Sequence, residues 1–281
     1  MNVVRTIDDL RRLRPDWGLV GFVPTMGAFH EGHLSLMRRA KMENETCVVS
    51  LFVNPTQFGP NEDLAKYPRQ EETDIGLATS AGADVIFMPS ADEIYPRKTT
   101  TVRVSEVSEP FEGMIRPHHF EGVATVVLKL FNIVQPTRAY FGLKDLQQCA
   151  VVRRMVEDLN VPVELVMCET IREASGLAMS SRNAYLTDDD RVQAAQLFNV
   201  LCVTARDIGM GKQSSDALAD GRQQLEASGF DVEYLSHVDA STLGEINGPV
   251  EQSRIVAAVR FCGVRLIDNV PILPQLADKI P

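Results

Sequence analysis

The stretch VGFVPTMGAFHEGHLSLMRRA, residues 20–40, decides the fold because it joins an apolar strand to a helix through a turn that holds two histidines. Pro24 and Gly27 interrupt the apolar run and predict a sharp bend after the strand. Apolar residues then recur at helical spacing. His30 and His33 stand three residues apart at the start of the predicted helix, so their rings share one face near the amides of its first turn. A helix start of this kind attracts phosphate.

Three other interpretations of the two histidines compete with phosphate binding. A histidine at a helix start is commonly a capping or surface residue. Zinc proteases carry H-E-x-x-H on a helix, whereas this chain has H-E-G-H, and Glu31 more simply favours the positive helix N-terminus. A dinucleotide-binding turn has the sequence G-x-G-x-x-G, which does not follow this strand. Phosphate binding is therefore the favoured hypothesis.

The composition narrows the classes of function. The 281 residues are 44% hydrophobic and 23% charged, which is ordinary for a globular protein with a large core. A net charge of -10 argues against nucleic acid as a partner, because phosphate neutralisation needs clustered Lys and Arg. Five scattered cysteines without C-x-x-C spacing predict reduced thiols and a cytoplasmic location. We expect a soluble, untargeted protein without membrane association, because the chain has no signal-like or long apolar segment.

Apolar runs alternate with amphipathic stretches between residues 17 and 168, which predicts an α/β fold with a doubly wound, Rossmann-like parallel sheet. Ligands of such sheets bind beyond the carboxyl ends of the strands. Polar motifs follow four of the predicted strands, VGFV, SLFV, AYFG and VELVM. The apolar stretch GVATVVLKLFNIV is either a buried helix or a long strand.

The pattern changes in the last hundred residues and predicts a second domain. We assign residues 1–175 to a Rossmann-like catalytic domain and residues 176–281 to a smaller α+β domain that caps the active site. Thr187 and the acidic run after it predict one long helix that ends at a glycine. A further helix near 214–228 and three short strands are expected to follow, with His237 in a structural role.

Six motifs together resemble one known family. PTMGAFHEGH is similar to the x-x-G-H signature of the nucleotidylyltransferase superfamily, and the later motifs FVNPTQF, YPR, FGLKDLQQ, GLAMSSRN and RLIDN make the resemblance specific. In this order they resemble the pantoate-beta-alanine ligases, the pantothenate synthetase family, over most of the chain. The resemblance also implies a helix for GVATVVLKLFNIV.

The resemblance implies an ATP-dependent condensation of (R)-pantoate with beta-alanine. The products would be pantothenate, AMP and pyrophosphate, formed through a pantoyl adenylate. ATP would be a substrate, and Mg²⁺ would be held mainly by its phosphates, because this ion prefers substrate oxygens and water to a full protein cage. A homodimer is implied as well. We expect no dedicated protein metal site.

The resemblance also implies a role for each motif. Gln57 and Gln148 would bind pantoate, with Asn54 beside them, and Phe52 and Tyr67 would line the pocket or a lid. The catalytic residues would be His30, His33, Lys144, Ser180 and Arg182. The implied ATP-binding residues are Met26, His30, His33, Gly142, Lys144, Asp145, Ile171, Met179, Ser180, Ser181 and Arg182.

Simpler interpretations of these motifs stay open. Residues 61–66 of the loop after the second strand are equally well explained as a surface loop stiffened by proline, although residues 59–69 are our hypothesis for a closing lid. Asp145 fits a helix N-cap, and the two serines of GLAMSSRN fit a serine turn. Two residues depart from the family pattern: Ser175 stands where aspartate is frequent, and His118 where glycine is usual.

Two other function classes share parts of this pattern. A nucleotidylyltransferase without ligase activity needs the strand, the turn and the two histidines, but not Gln57 and Gln148 placed for a small acid. A non-catalytic nucleotide-binding module would tolerate the loss of His33 or Lys144. Nucleotide binding that survives both alanine substitutions without any turnover would favour the module.

Overall fold

The computed structural model describes residues 1–59, 63–65, 67–247 and 252–273. The described chain forms two compact units. The first comprises Met1–Leu143 and Gln147–Glu169, and the second comprises Lys144–Leu146 with the described residues from Thr170 onward. No helix within the described ranges is long and apolar enough to cross a bilayer.

The first unit contains a six-stranded parallel sheet, which confirms the predicted fold class. Its strands are β1 (Asn2–Val4), β2 (Val20–Thr25), β3 (Thr46–Leu51), β4 (Val85–Phe87), β5 (Arg138–Gly142) and β6 (Glu164–Cys168). The order across the sheet is β1-β4-β3-β2-β5-β6. The chain therefore winds outward in one direction from β2 and in the other from β5, and the point of reversal between them is where doubly wound sheets bind ligands.

Seven helices in the described chain accompany this sheet: α1 (Ile7–Leu13), α2 (Glu31–Glu43), α3 (Glu71–Ser80), α4 (Ala91–Ile94), α5 (Glu112–Ile115), α6 (His119–Val134) and α7 (Leu146–Asp158). The apolar stretch from Gly122 lies in α6 and is helical. Its periodicity is ambiguous because eleven of the sixteen residues in α6 are buried, so little of the helix presents a polar face. Strand β1 was not predicted, since only Val4 of its three residues is buried.

Helix α2 is tied to the sheet at its C-terminal end. Met37 on α2 and Phe22 on β2 are fully buried in the core, where each such side chain contributes about 1.5–3 kcal/mol. Tyr140 on β5 is also fully buried, and its hydroxyl donates to Glu43 Oε2 at 2.8 Å and accepts from Asn44 Nδ2 at 2.7 Å. Burial, reinforced by the bond to Glu43, raises the pKa of Tyr140 to about 12. The neutral hydroxyl thus anchors the helix that carries the histidines.

The second unit has an antiparallel sheet in the order β7-β8-β9, formed by β7 (Asp231–Asp239), β8 (Ser253–Phe261) and β9 (Val264–Pro271). Its helices are α8 (Asp188–Ala194), α9 (Gln196–Gly209) and α10 (Ser214–Ala227). The prediction of one long helix after Thr187 was wrong. The amide of Ala195 bonds the carbonyls of both Arg191 and Gln193, which tightens the last turn of α8 and separates it from α9.

Gly122 allows α6 to pack against the loop after β3. A Cβ there would lie 2.5 Å from Thr56 O and 2.7 Å from Gln57 N, and both are backbone atoms that a side-chain movement does not displace. We predict that Gly122→Ala lowers the free energy of unfolding by about 1–3 kcal/mol in urea denaturation. Gly76→Ala on α3 is the control, because nothing lies within 4 Å of its Cβ, and alanine there should stabilise by about 0.5–1 kcal/mol. Equal effects of both substitutions would contradict this packing.

His237 on β7 makes the second unit sensitive to acid. The residue is 1% exposed, its Nδ1 lies 2.9 Å from Ser214 Oγ, and burial lowers its pKa below the usual 6.5. The unfolded chain therefore takes up a proton first as the pH falls through about 6.5, and the folded state loses stability from there downward by at most about 1.4 kcal/mol per pH unit. We predict that His237→Gln flattens this pH dependence, measured by hydrogen exchange of the β7 and β8 amides. The exposed His118→Gln should leave it unchanged, and equal pH slopes in all three proteins would refute the assignment.

Candidate active site

The turn between β2 and α2 has an unusual backbone. Gly27 and Ala28 have φ angles of +90° and +53°, in the left-handed region that costs an alanine about 1–2 kcal/mol. The carboxylate of Asp74 on α3 compensates, because it accepts the amides of Ala28 at 2.9 Å and Phe29 at 2.8 Å. Asp74 is 1% exposed. Asp74 is not predicted from the sequence, since nothing in the acidic run EETD marks it as buried.

His30 and His33 each complete the first turn of α2 with one ring nitrogen. His30 is the N-cap, and its Nδ1 accepts the amide of Gly32 at 3.2 Å, while Nδ1 of His33 accepts the amide of His30 at 3.4 Å. The ring centroids are 4.1 Å apart. An imidazole nitrogen that accepts a hydrogen bond carries no proton, so each neutral ring has its N–H on Nε2. Capping therefore uses Nδ1 of each ring and places the proton of each neutral ring on Nε2.

Glu31 lies on the surface beside this turn. It forms an ion pair with both terminal nitrogens of Arg38, and the hydrogen bonds from Arg38 hold the pKa of the Glu31 carboxyl below its usual range. Within the described ranges, no cluster of three or more His, Cys, Asp or Glu has the arrangement of a metal site. These contacts give Glu31 a structural role on the exposed face of α2.

The side-chain amide of Asn54 is hydrogen-bonded to other groups of the protein. The residue is 1% exposed and precedes a 3₁₀ turn at Pro55–Gln57. Its Oδ1 accepts from Thr56 Oγ1 and from Tyr95 Oη, both at 2.9 Å, and its Nδ2 donates to Gln57 Oε1 and Gly122 O, both at 3.1 Å. These bonds fix the amide of Gln57 with Oε1 toward Asn54. Nε2 of Gln57 is 3.0 Å from the sulfur of Met26, which is a weak acceptor.

Arg116 and His119 hold the backbone of the same turn. His119 Nδ1 donates to Gln57 O at 2.8 Å, and Arg116 Nη1 lies 3.2 Å from His119 Nε2. Because the carbonyl only accepts, the proton of His119 is on Nδ1, and Nε2 accepts from Arg116. His118 has a φ of +68°, the conformation that glycine adopts without strain. The departure from the family pattern at His118 therefore leaves the start of α6 formed.

The two adjacent glutamines of GLKDLQQ have different environments. Gln147 is 7% exposed; its Oε1 accepts the amide of Glu112, and its Nε2 donates to the carbonyls of Val107 and Pro110. Gln148 is half-buried, and its side chain has no hydrogen-bond partner among the described residues. Gln147 is thus structural, whereas Gln148, the predicted pantoate ligand, is not held by bonds of this kind.

In the second unit, residues 176–183 form the motif GLAMSSRN. Ser180 is the N-cap of a 3₁₀ turn at Ser181–Tyr185, and its Oγ accepts the amide of Arg182 at 3.3 Å. Ser175 Oγ accepts the amide of Leu177 at 3.4 Å, as an aspartate carboxylate does in an Asx-turn. The hydroxyl at Ser175 therefore replaces the aspartate that is frequent in the family.

The motif RLIDN in β9 anchors these residues. Asp268 accepts a bidentate pair of hydrogen bonds from Arg172 at 2.6 and 2.9 Å, and the guanidinium stacks 3.8 Å from the ring centroid of Phe198. Asn269 Nδ2 donates to Lys144 O at 3.1 Å. The sequence alone assigns no role to this motif. In the structure, Asp268 and Asn269 hold the Arg172 side chain and the Lys144 backbone, which are next in sequence to the predicted ATP-binding residues Ile171 and Asp145.

The predicted site residues divide between the two units. The first unit contains Met26, His30, His33, Phe52, Asn54, Gln57, Tyr67, Gly142 and Gln148, and the second contains Lys144, Asp145, Ile171, Met179, Ser180, Ser181 and Arg182. The Phe52 and Tyr67 side chains are buried, with Phe52 6.3 Å from the Tyr95 ring and Tyr67 5.9 Å from the Phe58 ring between centroids. Residues 60–62 and 66 of the predicted lid lie outside the described residues.

Comparison with known proteins identifies relatives along nearly the whole chain. Residues 2–271 match the family Pantoate-beta-alanine ligase. Pantothenate synthetase from Gluconobacter oxydans (strain 621H) is 50% identical over 275 residues, which cover 97% of this chain and 100% of that protein. The crystal structure of pantothenate synthetase from Thermus thermophilus has a TM-score of 0.93 and 47% identity, covering 98% of this chain and 100% of that chain.

A third relative was solved with ligands. Pantoate-beta-alanine ligase from Francisella tularensis, complexed with beta-gamma ATP and beta-alanine, has a TM-score of 0.82 and 35% identity, covering 96% of this chain and 97% of that chain. The family resemblance predicted from the sequence motifs is therefore confirmed. On this sequence and structural similarity, the chain belongs to the pantoate-beta-alanine ligase family.

Proposed function

We propose that this chain condenses (R)-pantoate with beta-alanine, using ATP and forming pantothenate, AMP and pyrophosphate through a pantoyl adenylate. The observation that carries the proposal is the placement of two kinds of group after neighbouring strands of one sheet. The rings of His30 and His33 follow β2, and the amide of Gln57 follows β3. Phosphate donors and an uncharged acid-binding amide thus meet at one edge of the sheet, which suits a carboxylate that attacks a phosphate.

The first step needs charge neutralisation rather than a base. A carboxyl group with a pKa of about 3.5 to 4 is ionised at neutral pH, so the pantoate carboxylate can attack the α-phosphate directly and pyrophosphate leaves. His30, His33, Lys144, Ser180 and Arg182 supply the N–H and O–H donors that stabilise the phosphate oxygens in this step. Lys144 Nζ has no hydrogen-bond partner among the described residues, which agrees with a ligand-binding role.

The remaining nucleotide-binding set follows the family resemblance: Met26, Gly142, Asp145, Ile171, Met179 and Ser181. Mg²⁺ bound to ATP would add charge neutralisation at the phosphates. Mg²⁺ is commonly held by substrate phosphates and water. This mode of binding suits the described residues, which include no cluster of three His, Cys, Asp or Glu ligands. We also propose that the smaller domain predicted at residues 176–281 caps the active site; the main segment of the second unit itself begins at Thr170.

Gln57 and Gln148 bind the hydroxyl and carboxylate groups of pantoate in this proposal. Amides suit this task because they donate and accept hydrogen bonds without adding charge that would compete for phosphate. The direct contact predicted for Asn54 stays a prediction. Its hydrogen bonds support an indirect role, in which Asn54 orients Gln57, while Phe52 and Tyr67 contribute apolar surface.

The second step requires a neutral amine. The amino group of beta-alanine, with a lysine-like pKa near 10.4, is only about 0.04% neutral at pH 7, which adds about 4–5 kcal/mol unless the site lowers that pKa. The amine then attacks the acyl carbonyl, the amide forms and AMP leaves. The adenylate must be shielded from water meanwhile, and residues 59–69 remain our proposed lid.

The cellular setting is also part of the proposal. No two of the five cysteines are joined by a disulfide, and Cys47, Cys149 and Cys168 are buried, which is consistent with a reducing cytoplasm. The proposed homodimer rests on the family resemblance, and light scattering of the purified chain tests it.

Isotope exchange between pyrophosphate and ATP tests the reaction. With pantoate and Mg²⁺ present and beta-alanine omitted, we predict exchange that depends on pantoate, because adenylate formation is reversible before the amine arrives. Beta-alanine should then release AMP stoichiometrically with pantothenate. A protein that shows no exchange, and forms no AMP when beta-alanine is added, would contradict the ligase assignment.

His30→Asn separates the capping role of His30 from its proposed phosphate contact. Asparagine is a good N-cap, so the free energy of unfolding should stay within about 0.5 kcal/mol, while loss of the Nε2–H donor should slow exchange by about 10²–10³-fold. His30→Ala is the matched control and should also lose about 1 kcal/mol of stability with the cap. Native exchange rates in His30→Asn would mean that His30 only caps α2.

A further inference from the structure

An internal carboxylate occupies the anion site of the histidine-bearing turn. The consecutive left-handed residues Gly27 and Ala28 make successive amides converge into a concave anion-binding site of the kind that holds phosphate in glycine-rich loops. Asp74 fills it with both oxygens, Oδ2 at 2.9 Å from the Ala28 amide and Oδ1 at 2.8 Å from the Phe29 amide. The residue is 1% exposed and lies on another element, α3.

This occupancy changes where a phosphate can bind. The Ala28 and Phe29 amides already donate their hydrogen bonds to Asp74. A phosphate must therefore be bound by the next donors along the chain, the rings of His30 and His33. The fit around the carboxylate is close, because a Cβ on Gly27 would lie 3.0 Å from Asp74 Oδ2. The position of His30 relative to β2 therefore depends on the hydrogen bonds from the turn to Asp74 on α3, and not on the turn alone.

We propose that Asp74 is a positioning residue for adenylate formation, an internal anion that holds the turn so that the Nε2–H groups of His30 and His33 face the phosphates. Asp74 acts through the turn and does not touch substrate. This inference rests on the phosphate contact proposed above for the two histidines.

A carboxylate is required because two amides converge on it. Asparagine has nearly the same shape but only one acceptor oxygen, so its NH₂ group would face one amide N–H and leave that donor unsatisfied. Glutamate keeps both acceptors but is one methylene longer, so it should bind the same amides with a displaced turn. Asp74→Asn should therefore be the more damaging substitution, and Asp74→Glu the milder one.

Steady-state pyrophosphate–ATP exchange measures the effect. We expect Asp74→Asn to lower the exchange kcat about 100-fold, the loss typical of a displacement of about 1 Å, with Asp74→Glu in between. The KM for pantoate should stay within about 3-fold, because the pantoate ligands Gln57 and Gln148 lie outside the turn. The exchange kcat is calculated per folded protein, measured by circular dichroism, because a loss of stability alone would lower the apparent kcat at an unchanged KM.

Asp84→Asn is the matched control. Its carboxylate also accepts a backbone amide in the same unit, that of Cys47 at 2.8 Å, and it pairs with Lys41 at 2.8 Å. Cys47 lies at the beginning of β3, so this contact is at the opposite edge of the sheet from the histidines. Exchange by Asp84→Asn should stay within about 3-fold of the native rate, as expected for loss of a partly exposed ion pair.

Chemical rescue gives a second readout. Asp74→Ala leaves a space of carboxylate size beside two unsatisfied amides, so formate should restore exchange at least tenfold and saturably, whereas chloride at equal ionic strength should not. Near-native exchange in Asp74→Asn would overturn the proposal, as would a loss equal to that of Asp84→Asn. A kcat loss in Asp74→Ala that formate does not reverse would also overturn it. Native exchange in His30→Asn would instead refute the histidine contact itself.

Discussion

Two imidazole rings complete the first turn of α2 through hydrogen bonds, and the geometry of the candidate active site depends on these bonds. Nδ1 of His30 accepts the amide of Gly32, and Nδ1 of His33 accepts the amide of His30. Each neutral ring therefore carries its proton on Nε2. Helix capping and donation to phosphate, which compete as interpretations of the sequence, use different nitrogens of the same ring. The backbone of α2 thus sets the protonation pattern that the chemistry requires.

The topology of the sheet places the histidine turn next to the loop that carries Gln57. The strand order reverses between β2 and β5, and β3 pairs with β2 along its whole length. The histidine turn and the Asn54–Gln57 network therefore begin at the same edge of one sheet. In the second unit, Arg172 pairs with the buried carboxylate of Asp268, and the side-chain amide of Asn269 donates a hydrogen bond to Lys144 O. In both units, such long-range polar contacts fix the segments that carry the predicted site residues.

The sequence predicts those features that depend on neighbouring residues. Hydrophobic periodicity and chain breakers reveal the parallel strands and the histidine turn, because both signals lie within one short segment. Asp74 escapes prediction because its partners Ala28 and Phe29 are 46 and 45 positions away. The internal bonding of Asn54 is likewise invisible, since it requires Gly122 O and Tyr95 Oη from distant elements. The separation of α8 from α9 at Ala195 involves no glycine or proline, so no local signal marks it.

Nitrogen NMR of the histidine side chains reports directly which ring nitrogen carries the proton. In ¹⁵N-histidine protein at neutral pH, we predict that the neutral rings of His30 and His33 both carry their proton on Nε2, with Nδ1 as acceptor. Addition of ATP and Mg²⁺ should shift the two Nε2–H signals and leave the tautomers unchanged. A proton on Nδ1 of either ring, or Nε2–H signals that do not respond to ATP, would refute the proposed division of roles between the two ring nitrogens.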